Sequence, residues 1–416
     1  MRHITNFRQA EVALARFVRT DEPLGNYTLE KMNALMAYLG NPQDELKVIH
    51  IAGTSGKTST AYYVTSLLKA AGYTTGLSIS PHIKQINERA QINLLPLPEA
   101  EYCERLAIFL ELVDESTLQP SHFELMVAFA YWLFHKLGVD YAVIEVGLGG
   151  LLDGTNVVRR IDKVCIITDI GLDHVEVLGN TLAKIAAQKA GIIHHGNDVF
   201  MYKQVGEVMA VVKKVSRAKK AQLHVILDNP MHKADALPLF QQRNLYLAVN
   251  VVRFILKRDG HDELTPAQLD HAAQIHIPGR MDVLSYHGKT LILDGSHNEQ
   301  KITALVEAIE NQFAGRDITL MVAFGQNKQS SVQASLKLLR RLGSSIIVTS
   351  FLKGQDEVRR AIDPGQLAVL ASQVGFISVT IEPKPFEALT LLEQSDTDVN
   401  VIVGSFYLLE NLRTIF

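Results

Sequence analysis

Short β-branched apolar runs alternate with longer helix-period segments along nearly the whole chain, and this alternation restricts the fold more than any other feature. The runs KVIHIA (47–52), TGLSIS (75–80), YAVIEV (141–146), KVCIIT (163–168) and HVIL (224–227) read as strands. Between them, 57–71, 99–114, 178–190 and 237–258 repeat apolar side chains at helical spacing. Continuously apolar strands need cover on both faces, so the pattern predicts a mainly parallel sheet flanked by helices. The rhythm breaks near residue 276 at IHIPGRMDV, where Pro278 and Gly279 punctuate the chain. A hairpin-like MDVLSYHGKTLILD follows, then a second α/β series with strands expected at 318–324, 345–350, 377–381 and 399–405. A chain of 416 residues exceeds one ordinary core. The expectation is an α/β protein with one domain over 1–276 and a second over 277–416.

Apolar residues at 47% and charged residues at 20% match a globular enzyme. A net charge of −3 gives no electrostatic reason to expect nucleic acid or an acidic membrane surface. The basic run KKVSRAKK (213–220) reads as a solvated helix face. Two cysteines, Cys103 and Cys165, are too few for a disulfide framework or a cysteine metal cluster, which fits a reducing compartment. The first residues form an amphipathic pattern with no apolar signal core. FELMVAFAYWLF (123–134) is shorter than the roughly twenty residues that span a bilayer, so it reads as a buried helix. A cytoplasmic protein without membrane or nucleic-acid partners is expected.

The segment HIAGTSGKTST (50–60) joins an apolar strand to a helix through a glycine turn. It departs from the strict G-x-x-x-x-G-K-[ST] phosphate loop, because Ile51 stands where the first glycine belongs. The context still suits a polyphosphate: a helix N-terminus offers unpaired N–H groups and partial positive charge. Lys57 would neutralise phosphate, and Thr58 or Ser59 would offer a hydroxyl to Mg²⁺. Glu145 ends the strand 141–146, at the edge where α/β sheets place ligand-binding groups, and a carboxylate there suits the same cation. Gly147, Gly149 and Gly150 then permit close backbone approach. His174, in TDIGLDHVEVLG, follows another strand towards that edge. Lys189 lies on the helix expected from Leu178 and reads as a solvated lysine; an ammonium cannot ligate a metal. Arg280 offers a planar fork for phosphate. Asp294, Ser296, His297 and Asn298 cluster after a strand, either to bind a ligand or to cap the helix expected at 299–313.

Taken in order, HIAGTSGKTST, SPHIKQINERAQIN (80–93), SHFELMVAFAYWLF (121–134), IEVGLGGLLDGTNVV (144–158), ITDIGLDHVEVLGNTLAKIAAQKAGI (167–192), IPGRMDV, LDGSHN and GSFYLLENLR (404–413) resemble the folylpolyglutamate synthase and dihydrofolate synthase family, within the Mur ligase group. The resemblance implies an N-terminal P-loop ATPase domain, a C-terminal Rossmann-like glutamate-ligase domain, and a site in the cleft between them. It implies that ATP phosphorylates a folate-type carboxylate, of dihydropteroate or tetrahydrofolate, and that L-glutamate's amine attacks the acyl phosphate. By family position Gly53, Thr54, Ser55, Gly56, Lys57, Thr58, Ser59, Asn244, Arg280 and Asp294 serve ATP. Thr58 or Ser59, Glu145, His174 and a carbamylated Lys189 serve magnesium, with two ions expected. Carbamylation removes the objection to Lys189, since it turns an ammonium into an oxygen ligand. Ser80, His82, Arg89, Asp153, His297 and Ser405 lie on the substrate side, and Lys57, Lys189, His297 and Asp294 are the candidate catalytic groups. A monomer is expected. A Mur-type ligase for a UDP-linked peptidoglycan precursor and a non-catalytic ATP-binding regulator are the alternatives.

The chain departs from the family at several places. Thr58 replaces the usual glycine, which tilts the expected hydroxyl ligand to Ser59; Leu151 replaces an arginine; Phe240 replaces a histidine in FQQRN (240–244). The segment 22–43 matches the pterin-holding loop only loosely. These changes touch substrate recognition more than ATP chemistry.

Overall fold

The computed structural model describes residues 4–18, 28–227, 237–326, 329–351 and 360–415. Residues 22–27 of the expected pterin-loop segment therefore lie outside the described residues. The chain divides into two compact units, Met1–Ile275 and His276–Phe416.

The first unit is built on β1 (Lys47–Ala52), β2 (Thr75–Ser78), β3 (Ala90–Ile92), β4 (Leu95–Pro96), β5 (Tyr141–Glu145), β6 (Val164–Ile167), β7 (Asp198–Tyr202) and β8 (Gln222–Ile226). They form one sheet in the order β4-β3-β2-β5-β1-β6-β7-β8. The pairs among β2, β5, β1, β6, β7 and β8 are parallel, and the edge pairs β2–β3 and β3–β4 are antiparallel, so β3 alone opposes the sheet direction. β1 is central, with Ile51 opposite both Glu145 of β5 and Ile166 of β6. The buried helix His122–Lys136 forms as the apolar run required, and its start is closed by a reciprocal Ser121–Glu124 capping box.

Three elements differ from the sequence expectation. β7, DVFMY, has no counterpart among the strand-like runs, and β8 begins at Gln222 rather than His224. The helix expected over 178–190 is two, Val175–Leu178 and Leu182–Ala190. Gly179 at φ +98° ends the first, and the Thr181 side chain caps the second by accepting from Lys184 N. The glycine and cap outweigh the apolar period that runs through them.

The second unit carries β9 (Asp282–Tyr286), β10 (Lys289–Asp294), β11 (Ile318–Val322), β12 (Ser345–Val348), β13 (Ser378–Ile381) and β14 (Val399–Val403), in the order β13-β12-β11-β14-β10-β9. All pairs are parallel except the β9–β10 hairpin.

A polar staple closes the first sheet at the end away from Glu145. Asp259 accepts from Lys47 Nζ at 2.9 Å, Tyr141 Oη at 2.8 Å and Arg258 Nε at 2.8 Å. Burial pushes its carboxyl up, but those hydrogen bonds outweigh it, and the net shift is downward. A carboxyl lowered on folding stabilises the protein above its unfolded pKa and loses that contribution as pH falls towards its folded value. Asp259→Asn should cost about 2 kcal/mol at neutral pH. Denaturant melts should show the gap to the unaltered protein narrowing below about pH 4.

Candidate active site

The phosphate-loop turn leaves β1 at Ala52 and enters the helix Lys57–Ala70 with Gly56 at φ +86°. A Cβ on Gly53 would lie 1.7 Å from Thr168 Oγ1, and one on Gly56 would lie 2.5 Å from Asn244 Oδ1. Both glycines are therefore required by close approach. The absent glycine also has a physical reason: Ile51 is a fully buried strand residue, and the turn begins only after it.

Not all of the turn's N–H groups face outward. Thr54 N and Ser55 N both donate to Asp169 O, at 2.8 and 3.3 Å, and Thr54 Oγ1 donates to Gly171 O at 3.0 Å. The first-turn amides of Lys57, Thr58 and Ser59 have no earlier helical carbonyl to bond, as at any helix start.

Three expected groups meet here. Thr58 Oγ1 donates to Glu145 Oε1 at 3.0 Å, and Lys57 Nζ lies 4.0 Å from that oxygen. Lys57 Nζ and Lys189 Nζ both donate to Gly53 O, at 3.2 and 2.8 Å. The solvated reading of Lys189 is corrected: it is only 4% exposed, because the last turn of its helix packs against the phosphate loop. Ser59 is buried, and the structure brings Thr58 rather than Ser59 to Glu145. His174 sits in the left-handed region at φ +48°, a strained setting for a residue with a Cβ. Its ring lies 3.9 Å from Asp173 Oδ1 and 3.8 Å from Glu176 Oε1.

Among the described residues, no three His, Cys, Asp or Glu side chains gather into a ready-made metal cage. Magnesium needs none, since it usually takes one or two protein oxygens and fills its octahedron with water and phosphate. The hydroxyl and carboxylate of Thr58 and Glu145 are hard oxygen donors 3.0 Å apart, and they fit that ion.

Beside Glu145 opens a pocket lined by Ser78, Ser80, Arg89, Phe123, Met126 and Val127 among others. Arg89 Nε donates to His82 Nδ1 at 2.9 Å, so the second nitrogen of that imidazole carries its proton. The expected substrate-side residues Ser80, His82 and Arg89 thus converge on Glu145's pocket, directly or through Arg89. Asp153 is held differently. Its oxygens accept from Leu148 N at 2.7 Å, Thr155 N at 3.0 Å and Thr155 Oγ1 at 2.5 Å, which folds the glycine-rich turn after β5. Thr155's one proton goes to Asp153, so the buried His50 donates to it through Nε2 at 2.8 Å. Burial first, then Lys163 and His194, hold His50 well below the usual histidine range, so it stays neutral.

In the second unit Asp294 accepts from Ser296 N at 2.7 Å and Met281 N at 2.8 Å, tying the 279–281 turn to the loop after β10. The Arg280 guanidinium lies 4.4 Å from the Phe406 ring centroid, a cation–π contact. His297 Nδ1 donates to Gly295 O at 2.8 Å, leaving Nε2 to accept from Lys301 Nζ at 3.2 Å. Asn298 caps the helix Glu299–Gln312, and Ser405 caps Phe406–Asn411. The helix-cap reading of the LDGSHN cluster therefore holds for Asn298.

A phosphate-loop-like turn on one mainly parallel sheet, followed by a second mainly parallel sheet with its own polar loop, is compatible with the class of Mur-type ligases. The Mur ligase middle domain family matches residues 51–242, and the Mur ligase glutamate ligase domain family matches residues 279–406. A dihydrofolate synthase/folylpolyglutamate synthase of Bacillus subtilis is 30% identical, covering 92% of this chain and 94% of that protein. A dihydrofolate synthetase of Saccharomyces cerevisiae is 31% identical over 93% of this chain and 97% of its own. Mycobacterium tuberculosis folylpolyglutamate synthase, solved with ADP and AMPPCP, superposes with a TM-score of 0.83 at 27% identity, over 98% of this chain and 97% of that one. The chain belongs to the folylpolyglutamate synthase/dihydrofolate synthase family of Mur ligases.

Proposed function

We propose that the protein is an ATP-dependent ligase that joins L-glutamate to a folate-type carboxylate, of dihydropteroate or of a tetrahydrofolate, through an acyl phosphate. The observation that carries this is the Thr58–Glu145 contact at the mouth of a phosphate loop, in a chain matched over more than nine-tenths of its length by enzymes of that name. In the first step an acceptor carboxylate oxygen attacks the γ-phosphorus and ADP leaves. In the second the neutral amine of glutamate attacks the acyl carbon, phosphate leaves, and the amine loses a proton.

Both steps crowd anions, so the residues' main work is to hold and neutralise them. Lys57 and the first-turn amides would hold the β/γ-phosphates, while Arg280, Asp294 and Asn244 would orient the nucleotide. Thr58 and Glu145 would hold Mg²⁺, with His174 and carbamylated Lys189 towards a second ion; bound there, the metal would screen charge on phosphate and carboxylate. Arg89, His82, Ser80 and Asp153 would shape the acceptor side, and His297 and Ser405 the glutamate side. With its Nδ1 proton on Gly295 O and Nε2 on Lys301, His297 suits positioning better than proton removal. No protein nucleophile is required.

Residues 1–276 as the ATP-binding domain, 277–416 as the glutamate-ligase domain, a monomeric state and a cytoplasmic setting belong to the same proposal. The support for a reducing setting is that Cys103 and Cys165 are buried and form no disulfide. Among the described residues no helix is long and apolar enough to cross a membrane. The test is ADP release by purified protein with ATP, magnesium and glutamate, adding dihydropteroate, tetrahydrofolate or a UDP-linked muropeptide in turn. Release with a pteroate or folate is expected. Turnover with the UDP compound alone would replace the acceptor, and silence with all three would point to a regulator.

A further inference from the structure

Arg243 and Asn244 are neighbours on the helix Leu239–Asp259, and they address opposite ends of the phosphate-loop turn. Asn244 Oδ1 fills the space that a Cβ on Gly56 would need, 2.5 Å from its position. Arg243 acts one step removed. Its two terminal nitrogens each lie 3.2 Å from a different oxygen of Asp169, a fork-to-fork pairing. The carbonyl of that same Asp169 is the acceptor for Thr54 N at 2.8 Å and Ser55 N at 3.3 Å.

Other contacts brace this part-exposed pair on both sides. The Arg243 guanidinium lies 4.6 Å from the Tyr202 ring centroid, and Tyr202 Oη accepts from Leu247 N of the same helix at 3.2 Å. Gln204 donates to Thr168 O at 3.1 Å and accepts from Ile170 N at 2.9 Å, holding the segment on both sides of Asp169. Thr54 Oγ1 and Gly171 exchange hydrogen bonds of 3.0 and 3.1 Å. These contacts tie the helix to the loop through Asp169, Tyr202 and Gln204.

We infer that Arg243 and Asp169 are positioning residues for the nucleotide: through the Asp169 carbonyl they set the phosphate-loop backbone, and with it the affinity for a nucleoside di- or triphosphate. This rests on the nucleotide reading of the loop. Side-chain exposures of 37% and 23% leave the ion pair itself little weight in global stability, so variants should fold. The cost falls instead on a loop that must be ordered before phosphate binds.

The test is calorimetric binding of Mg·ADP to full-length protein, with thermal melts and steady-state kinetics on the same samples. Asp169→Asn and Arg243→Met should each raise the ADP Kd by about fivefold or more, and the double variant should be no weaker than the weaker single one. Arg243→Lys should not restore affinity, because an ammonium cannot form the fork. The melting midpoint should move by no more than about two degrees. KM for the acceptor should stay within about twofold, which general loosening would not allow. An ADP Kd within about twofold of the unaltered protein in both single variants overturns the inference, as does an equal rise in acceptor KM. An unaltered protein that binds no ADP sinks the nucleotide reading itself, a separate and recognisable outcome.

Discussion

Lys189→Ala is expected to lower turnover roughly a thousandfold, measured as ADP release with ATP, acceptor and glutamate, and millimolar formate or acetate should restore part of it. The ammonium of Lys189 lies buried on Gly53 O, where Lys57 also donates, so two cations share one carbonyl. Reaction of the neutral amine with CO₂ forms the N–C bond of a carbamate and releases a proton. That replaces one of the two positive charges with a negative one beside a polyphosphate site. A small carboxylate entering the cavity left by alanine would supply the same oxygens. Lys189→Arg should be equally inactive, because a guanidinium keeps its charge and does not form the carbamate. If the ammonium serves only to hold Gly53 O, the alanine variant should lose thermal stability and formate should return nothing. Full activity in Lys189→Ala would remove the carbamate altogether.

The parallel sheets were legible because their strands are short apolar runs that leave no room for another period. β1, β5 and β6 appear within a residue of their expected bounds, and they are the strands that carry the site. β7 was hidden because Asp198 opens it and Tyr202 closes it, so no continuous aliphatic run announces it. The helix break at 179–181 was written in a glycine and a threonine cap, but the surrounding periodicity masked both.

Among site residues, legibility followed locality. Gly53, Gly56, Lys57 and Thr58 are one contiguous motif, and Glu145 follows from its place at a strand end. Lys189 could be read by spacing only as a surface lysine, since its burial depends on how its helix packs against a loop far earlier in the chain. Asp169 and Arg243 lie 74 residues apart, and nothing local marks either as a partner. The same holds for His50 and Thr155, where a polar pair in the core is specified only by the fold. Asp153 reads as a substrate-side residue, yet its carboxylate accepts from Leu148 and Thr155, so turn formation accounts for much of its chemistry.

Thr58→Ala is expected to lower turnover by about a hundredfold, while Ser59→Ala should stay within about threefold. The two hydroxyls are adjacent on one helix, about 100° apart around its axis, so they cannot serve the same point from the same face. Thr58 Oγ1 is the one 3.0 Å from Glu145, whereas Ser59 is 3% exposed. The glycine usual at position 58 in the family tilts the sequence reading to Ser59, but a threonine there supplies its own hydroxyl to the carboxylate. Magnesium dependence separates ligation from packing. Thr58→Ala should raise the magnesium concentration for half-maximal rate, and Thr58→Ser, which keeps the hydroxyl, should return it to normal. A shift in magnesium dependence with Ser59→Ala and none with Thr58→Ala would assign the ion to Ser59. In that case the Thr58–Glu145 contact would be a resting arrangement that opens when the nucleotide binds.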